Sequence, residues 1–122
     1  MKEIKINTDS RNYPVLMGTD ILNKNNFKEF SHKEILLVID SKIDESVKKE
    51  VQINLSNISS KYSELTIEAN EENKSSDTLS MIHDVLIEHS YSRDCILFAL
   101  GGGIICDITG FAAATYLRGC LL

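Results

Sequence analysis

The distribution of apolar residues predicts three strands that alternate with helices. Residues 34–40 (EILLVID) and 95–100 (CILFAL) are almost unbroken apolar runs, which is typical of strands that are covered on both faces of a parallel sheet. Residues 63–67 (SELTI) alternate and predict a third strand. Apolar residues at helical spacing predict helices over 44–55, 75–90 and 104–117. This order predicts an α/β fold, a Rossmann-like open, mostly parallel sheet with helices on both faces.

The first thirty residues follow a different pattern. Residues 3–7 alternate between polar and apolar side chains, residues 9–12 are rich in turn formers, and residues 13–18 return as a second apolar segment. Pro14 is the only proline of the chain and indicates an edge position for this second strand. We therefore expect an N-terminal antiparallel β-hairpin, followed by a short helix within residues 21–30.

The composition is that of a soluble globular domain. The chain has 122 residues, of which 43% are hydrophobic and 25% are charged. Its net charge of −5 argues against a nucleic acid or an anionic membrane surface as partner. No apolar stretch reaches the roughly 18 residues that a membrane span needs, and the first residues lack the apolar core of a signal peptide. We expect a cytoplasmic protein.

The cysteines and histidines do not form a ligand set by spacing. Cys95, Cys106 and Cys120 are far apart and include no CxxC pair, so they are interpreted as free thiols. His83 and His89 are six residues apart and would lie on different sides of a helix. We predict no metal site and no catalytic group in this chain.

Three consecutive glycines, Gly101 to Gly103, separate the last predicted strand from the last predicted helix. Open α/β sheets bind their ligands at such strand-to-helix turns. Glycine permits unusual backbone conformations and close approach of a ligand, and the N–H groups that begin the helix favour an anion. A phosphate-bearing ligand is therefore predicted, while the alternative is a simple tight turn. The turn is neither a P-loop nor the usual dinucleotide fingerprint, in which Cys106 would be glycine.

Acidic residues follow the other two strands. Asp40 ends the first strand and would face the same edge as the glycines; it is either a turn or capping residue or an acceptor of hydrogen bonds from a ribose. Lys42 is a weaker companion of Asp40 in such a site. Residues 68–75 (EANEENKS) contain almost no apolar side chain and predict a solvated loop.

The stretch GGGIICDITGFAAATYLRG, residues 101–119, resembles the 3-dehydroquinate synthase family in its glycine turn, its aspartate, its Thr-Gly-Phe-Ala-Ala helix and its closing Arg-Gly. The resemblance implies that NAD is bound through the backbone of the glycine turn and the start of the helix and through one carboxylate; these residues are Gly102, Gly103, Ile104, Ile105 and Asp107. It also favours the ribose role of Asp40.

Two further positions follow from the same resemblance. Glu71 and Lys74 match a second family motif, Asp-Gly-Glu-x-x-Lys, which implies that they also bind NAD. Ala69 and Asn70 depart from the Asp and Gly of this motif. Arg118 matches an arginine that contacts the substrate phosphate and that in this family reaches the neighbouring subunit's site. The alternative for Arg118 is a cation at a helix C-terminus.

The family is a lyase of the shikimate pathway, in aromatic amino acid biosynthesis. It converts 3-deoxy-arabino-heptulosonate 7-phosphate, a sugar-acid phosphate, to 3-dehydroquinate with NAD and a divalent metal, zinc or cobalt. The resemblance implies that residues 1–122 are an incomplete N-terminal NAD-binding domain without the metal ligands, inactive alone and assembled as a homodimer or higher oligomer. The alternatives are a non-catalytic nucleotide-binding or assembly fragment, a related sugar-phosphate cyclase and a polyol dehydrogenase.

Overall fold

The computed structural model describes residues 2–8, 12–18, 22, 24–73 and 75–116. It contains five strands and four helices in this part of the chain. The strands are β1 (Lys2–Asn7), β2 (Asn12–Met17), β3 (Glu34–Asp40), β4 (Lys61–Ile67) and β5 (Ile96–Leu100), and the helices are α1 (Lys24–Phe27), α2 (Glu45–Ile58), α3 (Ser76–Glu88) and α4 (Gly103–Thr115). Short 3₁₀ turns follow α1 and precede α3.

The described strands form two sheets. Strands β4, β3 and β5 lie side by side in that order and are parallel, and β1 pairs with β2 in an antiparallel hairpin. In the parallel sheet Leu36 lies opposite Ser63 on one side and Leu97 on the other. The predicted fold class is confirmed, including the parallel sheet and the hairpin with Pro14 opposite Lys5.

Helices cover both faces of the parallel sheet. On one face Ile35, Leu37 and Ile39 of β3 pack with Val51 and Leu55 of α2. On the other face Leu36 and Val38 pack in a cluster with residues of α3 and α4, namely Ile82, Leu86, Ile105, Ile108 and Ala112. This alternation explains why the predicted buried strand has no polar position, because both of its faces are in the core.

Helix α2 is longer than the helix predicted over residues 44–55. It ends at Ile58 instead of near Leu55. Leu55 is buried and Ile58 packs against the same cluster, and the side-chain amide of Asn54 donates to the Glu50 carbonyl at 2.9 Å. The apolar face therefore outweighs the low helix propensity of the serine and asparagine residues.

A polar cluster ties three segments together at the amino end of the sheet. The Lys61 ammonium donates to the carbonyls of His89 at 2.7 Å and Ser90 at 3.0 Å, and it pairs with Glu34 at 3.4 Å. The backbone N–H and hydroxyl of Ser92 donate to Glu34 at 2.7 and 2.6 Å. Burial alone would raise the pKa of Glu34, but the hydrogen bonds from Ser92 and Lys61 hold this pKa below its usual value.

Candidate functional site

The carboxyl ends of β3 and β5 meet in a crevice of the sheet. The chain passes from β3 outward to β4 and then returns across β3 to β5, so the direction of winding reverses between β3 and β5. Open α/β sheets bind ligands at such a switch point. Asp40 is the last residue of β3, and Gly101 follows directly after β5. The structure therefore brings together two residues that the sequence analysis had placed at one edge.

Gly101 is the glycine that this packing requires. A Cβ atom at Gly101 would lie 2.9 Å from the Cβ of Asp40 and 3.0 Å from a side-chain carbon of Ile105, so an added side chain would force neighbouring atoms to move. The turn can pass so close to Asp40 only because Gly101 has no side chain.

Gly102 and Gly103 face open space. A Cβ atom on either would meet nothing within 4 Å. Gly18 is the only glycine of the described residues that has a positive φ. The glycines of the turn therefore do not adopt the left-handed conformation that glycine permits. Gly102 and Gly103 differ from Gly101 because no packed atoms lie where a side chain would be. This open space leaves room for a ligand.

The first turn of α4 presents donors without helical acceptors. Gly102 is the N-cap residue and provides no side-chain cap, and no acidic residue lies in the first turn. The N–H of Cys106 bonds to the Gly102 carbonyl at 3.1 Å, so the three preceding N–H groups, of Gly103, Ile104 and Ile105, have no acceptor within the helix. These N–H groups and the helix dipole favour an anionic group at the glycine turn.

Asp40 lies on the same face of the sheet as α4. Leu36 and Val38, which share its alternation along β3, pack in the cluster of α3 and α4. One carboxylate oxygen of Asp40 accepts from the backbone N–H of Lys42 at 3.0 Å, and its carbonyl accepts from the N–H of Ile43 at 3.1 Å. Asp40 thus does have the predicted role in a turn. The same bond fixes the direction of its carboxylate beside the glycine turn.

Asp107 lies one helical turn after Gly103 in α4. It lines a cavity whose lining does not include the glycine turn. This half-open cavity of about 320 Å³ lies between the start of α3 and the middle of α4, and its lining residues are Ser75, Ser76, Leu79, Asp107, Ile108 and Phe111. Phe111 at its edge is 59% exposed. Asp107 was predicted as a site residue from the sequence, whereas the other lining residues were not. Phe111 is one of the apolar residues within the helix predicted over 104–117, and helical spacing alone does not show that it is exposed.

Of the remaining predicted site residues, Glu71 lies in the described part of the chain. Glu71 is exposed in the 3₁₀ turn between β4 and α3, and β3 separates β4 from the strand that carries the glycine turn. The structure therefore does not bring Glu71 to the glycine turn through adjacent strands. Lys74 and Arg118 lie outside the described residues.

The described residues contain no group of three or more histidine, cysteine, aspartate or glutamate side chains placed to hold a metal. The Nε2 atom of His83 lies 2.8 Å from the Thr115 hydroxyl and 3.3 Å from the Ala112 carbonyl, so this histidine links α3 to α4. None of the described helices combines the length and the hydropathy that a membrane-spanning helix requires.

Sequence comparisons relate the chain to named enzymes. Residues 64–122 match the family model of the 3-dehydroquinate synthase N-terminal domain. The 3-dehydroquinate synthase of Ruthia magnifica subsp. Calyptogena magnifica is 33% identical over 121 residues, and that of Acidithiobacillus ferrooxidans (strain ATCC 53993 / BNL-5-31) is 36% identical over 121 residues. Each alignment covers 98% of this chain and 33% of the relative. The chain therefore spans about one third of the length of these curated relatives.

Solved structures share the fold. A 2-deoxy-scyllo-inosose synthase, complexed with carbaglucose-6-phosphate, NAD⁺ and Co²⁺, superposes with a TM-score of 0.84 at 19% identity, over 98% of this chain and 33% of its own. The 2-epi-5-epi-valiolone synthase of Streptomyces hygroscopicus subsp. jinggangensis 5008, with NAD⁺ and Zn²⁺ bound, gives a TM-score of 0.71 at 23% identity, over 83% of this chain and 28% of its own.

Proposed function

Since the chain is related to the 3-dehydroquinate synthase-type sugar-phosphate cyclases, we propose that it is the N-terminal NAD-binding domain of a 3-dehydroquinate synthase. The observation that carries this proposal is the glycine turn, which is open to a ligand at the switch point of the sheet, in a chain whose curated relatives bear that name. The intact enzyme would be a lyase that converts 3-deoxy-arabino-heptulosonate 7-phosphate to 3-dehydroquinate and releases phosphate, in the shikimate pathway.

The glycine turn fits the pyrophosphate of NAD. Open space in front of Gly102 and Gly103 allows the pyrophosphate to approach the backbone, and the N–H groups of Gly103, Ile104 and Ile105 would donate to its oxygens. Asp40 would accept a hydrogen bond from a ribose hydroxyl. When bound, NAD supplies a transient oxidation of a ring alcohol of the substrate, which acidifies the neighbouring C–H and makes phosphate elimination easier.

The other assigned residues are proposed from the family motifs. We propose that Asp107 binds NAD with its carboxylate, next to the cavity between α3 and α4. Glu71 and Lys74 are proposed as further NAD contacts. Arg118 is proposed to contact the substrate phosphate, with a role as a helix C-terminal cation as its alternative.

The divalent metal does not fit the described residues, which offer no three-ligand group. The two solved neighbours contain Co²⁺ or Zn²⁺. We therefore assign no step of the chemistry in this chain to a metal. We propose that the metal ligands of the complete enzyme belong to the two thirds of the relatives that the alignment does not cover, and that the enzyme is cytoplasmic and forms a homodimer or higher oligomer.

NAD binding is tested by calorimetric titration of the 122-residue chain. We expect weak binding by the wild type and none by Gly102→Val, because a branched side chain would fill the space in front of the turn. The matched control is Ala114→Val, which adds the same kind of side chain at an exposed position of the same helix. Equal affinity of the wild type and Gly102→Val would place the ligand elsewhere and overturn the assignment.

The reaction is tested by an assay of phosphate release. Residues 1–122 alone are expected to be inert. The same residues joined to the remaining two thirds of the Acidithiobacillus ferrooxidans enzyme should act on 3-deoxy-arabino-heptulosonate 7-phosphate, and Gly102→Val should abolish this activity. The second candidate is a related sugar-phosphate cyclase, because the two solved neighbours that share the fold are cyclases of this kind. Phosphate release from glucose 6-phosphate and not from the heptulosonate would favour that candidate.

A further inference from the structure

We propose that His83 is a positioning residue: it ties the last turn of α4 to α3 and thereby sets the place of Arg118, the proposed contact of the substrate phosphate. Arg118 lies outside the described residues and follows Tyr116, the C-cap residue of α4, by two positions. The inference rests on the proposed function and extends it, since it names a residue that acts on the substrate only through another residue.

The first support is the hydrogen bonding of the His83 ring. Its Nε2 atom lies 2.8 Å from the Thr115 hydroxyl oxygen and 3.3 Å from the Ala112 carbonyl oxygen. A carbonyl oxygen can only accept, so Nε2 carries the hydrogen and donates to both oxygens. The Thr115 hydroxyl in turn donates to the Phe111 carbonyl at 2.8 Å. These hydrogen bonds join one side chain of α3 to the last turn of α4.

The second support is the burial of Tyr116, directly after this turn. Tyr116 is 5% exposed, and its hydroxyl donates to the Tyr91 carbonyl at 2.6 Å and to the Leu86 carbonyl at 3.3 Å. The centroid of its ring lies 6.3 Å from that of the His83 ring. Its backbone N–H bonds to the Ala112 carbonyl, which is also the carbonyl that His83 reaches. The C-cap of α4 is therefore held by α3 and by the residue that follows α3.

The position of this C-cap limits where Arg118 can be. Covalent geometry keeps the Arg118 Cα atom within about 7 Å of the Tyr116 Cα atom. An arginine that binds a phosphate through two parallel N–H groups needs a fixed direction as well as a charge, and a misplacement of about 1 Å can lower a rate on the order of a hundredfold. Without the His83 donor, the backbone that carries Arg118 would lose its link to α3.

This effect should be confined to the substrate. The glycine turn lies at the opposite end of α4 from Thr115, and its N–H groups do not depend on the His83 hydrogen bonds. Loss of the His83 donor should therefore weaken binding of the substrate phosphate and leave the affinity for NAD⁺ unchanged.

The experiment compares variants of the enzyme that joins residues 1–122 to the remaining two thirds of the Acidithiobacillus ferrooxidans enzyme. His83→Leu removes the donor, and His83→Gln carries an amide N–H at about the reach of Nε2. The matched control is His89→Leu, because His89 is an exposed histidine at the C-cap of α3. We expect His83→Leu to raise the KM for 3-deoxy-arabino-heptulosonate 7-phosphate on the order of tenfold, and His83→Gln and His89→Leu to remain near the wild type. The dissociation constant of NAD⁺ should be the same in all four proteins.

A double-mutant cycle separates a positioning role from a general loss of stability. Arg118→Ala should raise the same KM by more than His83→Leu does, and the double variant should equal Arg118→Ala alone, because His83 acts only through Arg118. Additive effects, or an unchanged KM in His83→Leu, would overturn the inference and leave the proposed function standing. An unchanged KM in Arg118→Ala would overturn the proposed phosphate role of Arg118 and this inference with it.

Hydrogen exchange of the 122-residue chain tests the link between the helices without catalysis. The Tyr116 amide, which donates to the Ala112 carbonyl, should exchange faster in His83→Leu than in the wild type, and His83→Gln should restore the slow rate. The Cys106 amide, which donates to the Gly102 carbonyl at the start of the same helix, is the internal reference and should not change. Equal exchange of the Tyr116 amide in the wild type and His83→Leu would show that His83 does not hold the end of α4.

Discussion

At the scale of single residues, the three glycines of the turn have different roles. Only Gly101 is forced by packing, since a side chain there would collide with Asp40 and Ile105, whereas Gly102 and Gly103 face open space. The sequence predicted the position of the turn but not this division. The close contact joins residues 40 and 101, which meet only because β5 pairs with β3, and no local pattern reveals that pairing.

The division predicts opposite effects of alanine on stability. Gly101→Ala should lower the free energy of unfolding by about 1–3 kcal/mol, because the added methyl group must displace packed atoms. Gly103→Ala should leave stability unchanged or raise it by up to about 1 kcal/mol, because the site is open and alanine reduces the entropy of the unfolded chain. Urea unfolding measures both values. A Gly101→Ala protein as stable as Gly103→Ala would contradict the steric assignment.

Thr109 offers a second residue-scale prediction. Its side chain is fully buried in α4, and its hydroxyl has no hydrogen-bond partner among the residues that the structure describes. Thr109→Val keeps the shape and removes the unpaired polar atom, so the free energy of unfolding should stay the same or rise by about 1 kcal/mol. Thr109→Ser, which keeps the hydroxyl and loses a methyl group, should be less stable by about 1 kcal/mol. The reverse order in urea unfolding would show that the hydroxyl is paired.

At the scale of elements, the sequence predicted strands and helices well where periodicity was strong. The runs that became β3 and β5 are apolar because helices cover both faces of the sheet. The sequence did not predict contacts between side chains that are far apart along the chain, such as those of Glu34, Lys61 and Ser92 at the amino end of the sheet. These residues come from three segments, so their partnership depends on the tertiary fold and leaves no local signal.

Because of this cluster, we expect the free energy of unfolding to depend on pH in the acid range. The pKa of Glu34 is lowered in the folded state, relative to an unfolded value of about 4.3. Its contribution is therefore fully present above the unfolded pKa and is lost as the pH falls through the folded pKa. Glu34→Gln should be less stable than the wild type at pH 7, and the difference should shrink between about pH 5 and pH 3. Urea unfolding of both proteins across this pH range tests the prediction. A difference in stability that does not change with pH would show that the charge of the Glu34 carboxylate does not contribute.

At the scale of the whole molecule, the sequence predicted the fold class but not the order of strands. The order β4-β3-β5 brings Asp40 and the glycine turn into one crevice. Asp107 instead lines a neighbouring cavity, and Glu71 follows the strand farthest from the turn. The periodicity of apolar residues predicts whether a segment is a strand or a helix and which of its faces is buried. The site depends instead on which segments become neighbours in the fold. That choice is made by the packing of helices on both faces of the sheet.

The order of strands also leads to a prediction about assembly. In the described part of the sheet β5 is an edge strand, and its outer backbone groups are a template for pairing with another chain. The hairpin adds an apolar face, on which Ile4, Tyr13, Val15 and Met17 are exposed. Burying apolar area contributes roughly 25 cal/mol per Å², so a few hundred Å² gives several kcal/mol toward association.

We therefore expect the 122-residue chain to form a homodimer or higher oligomer through the β5 edge. Light scattering at micromolar concentration gives the mass, and hydrogen exchange of the β5 amides should slow as the protein concentration rises. Val15→Lys serves as the control, because it places a charge on the hairpin face and leaves β5 intact. If Val15→Lys is monomeric at a concentration at which the wild type associates, the hairpin forms the interface. A wild-type monomer whose β5 amides exchange slowly at every concentration would show that the edge is covered within one chain.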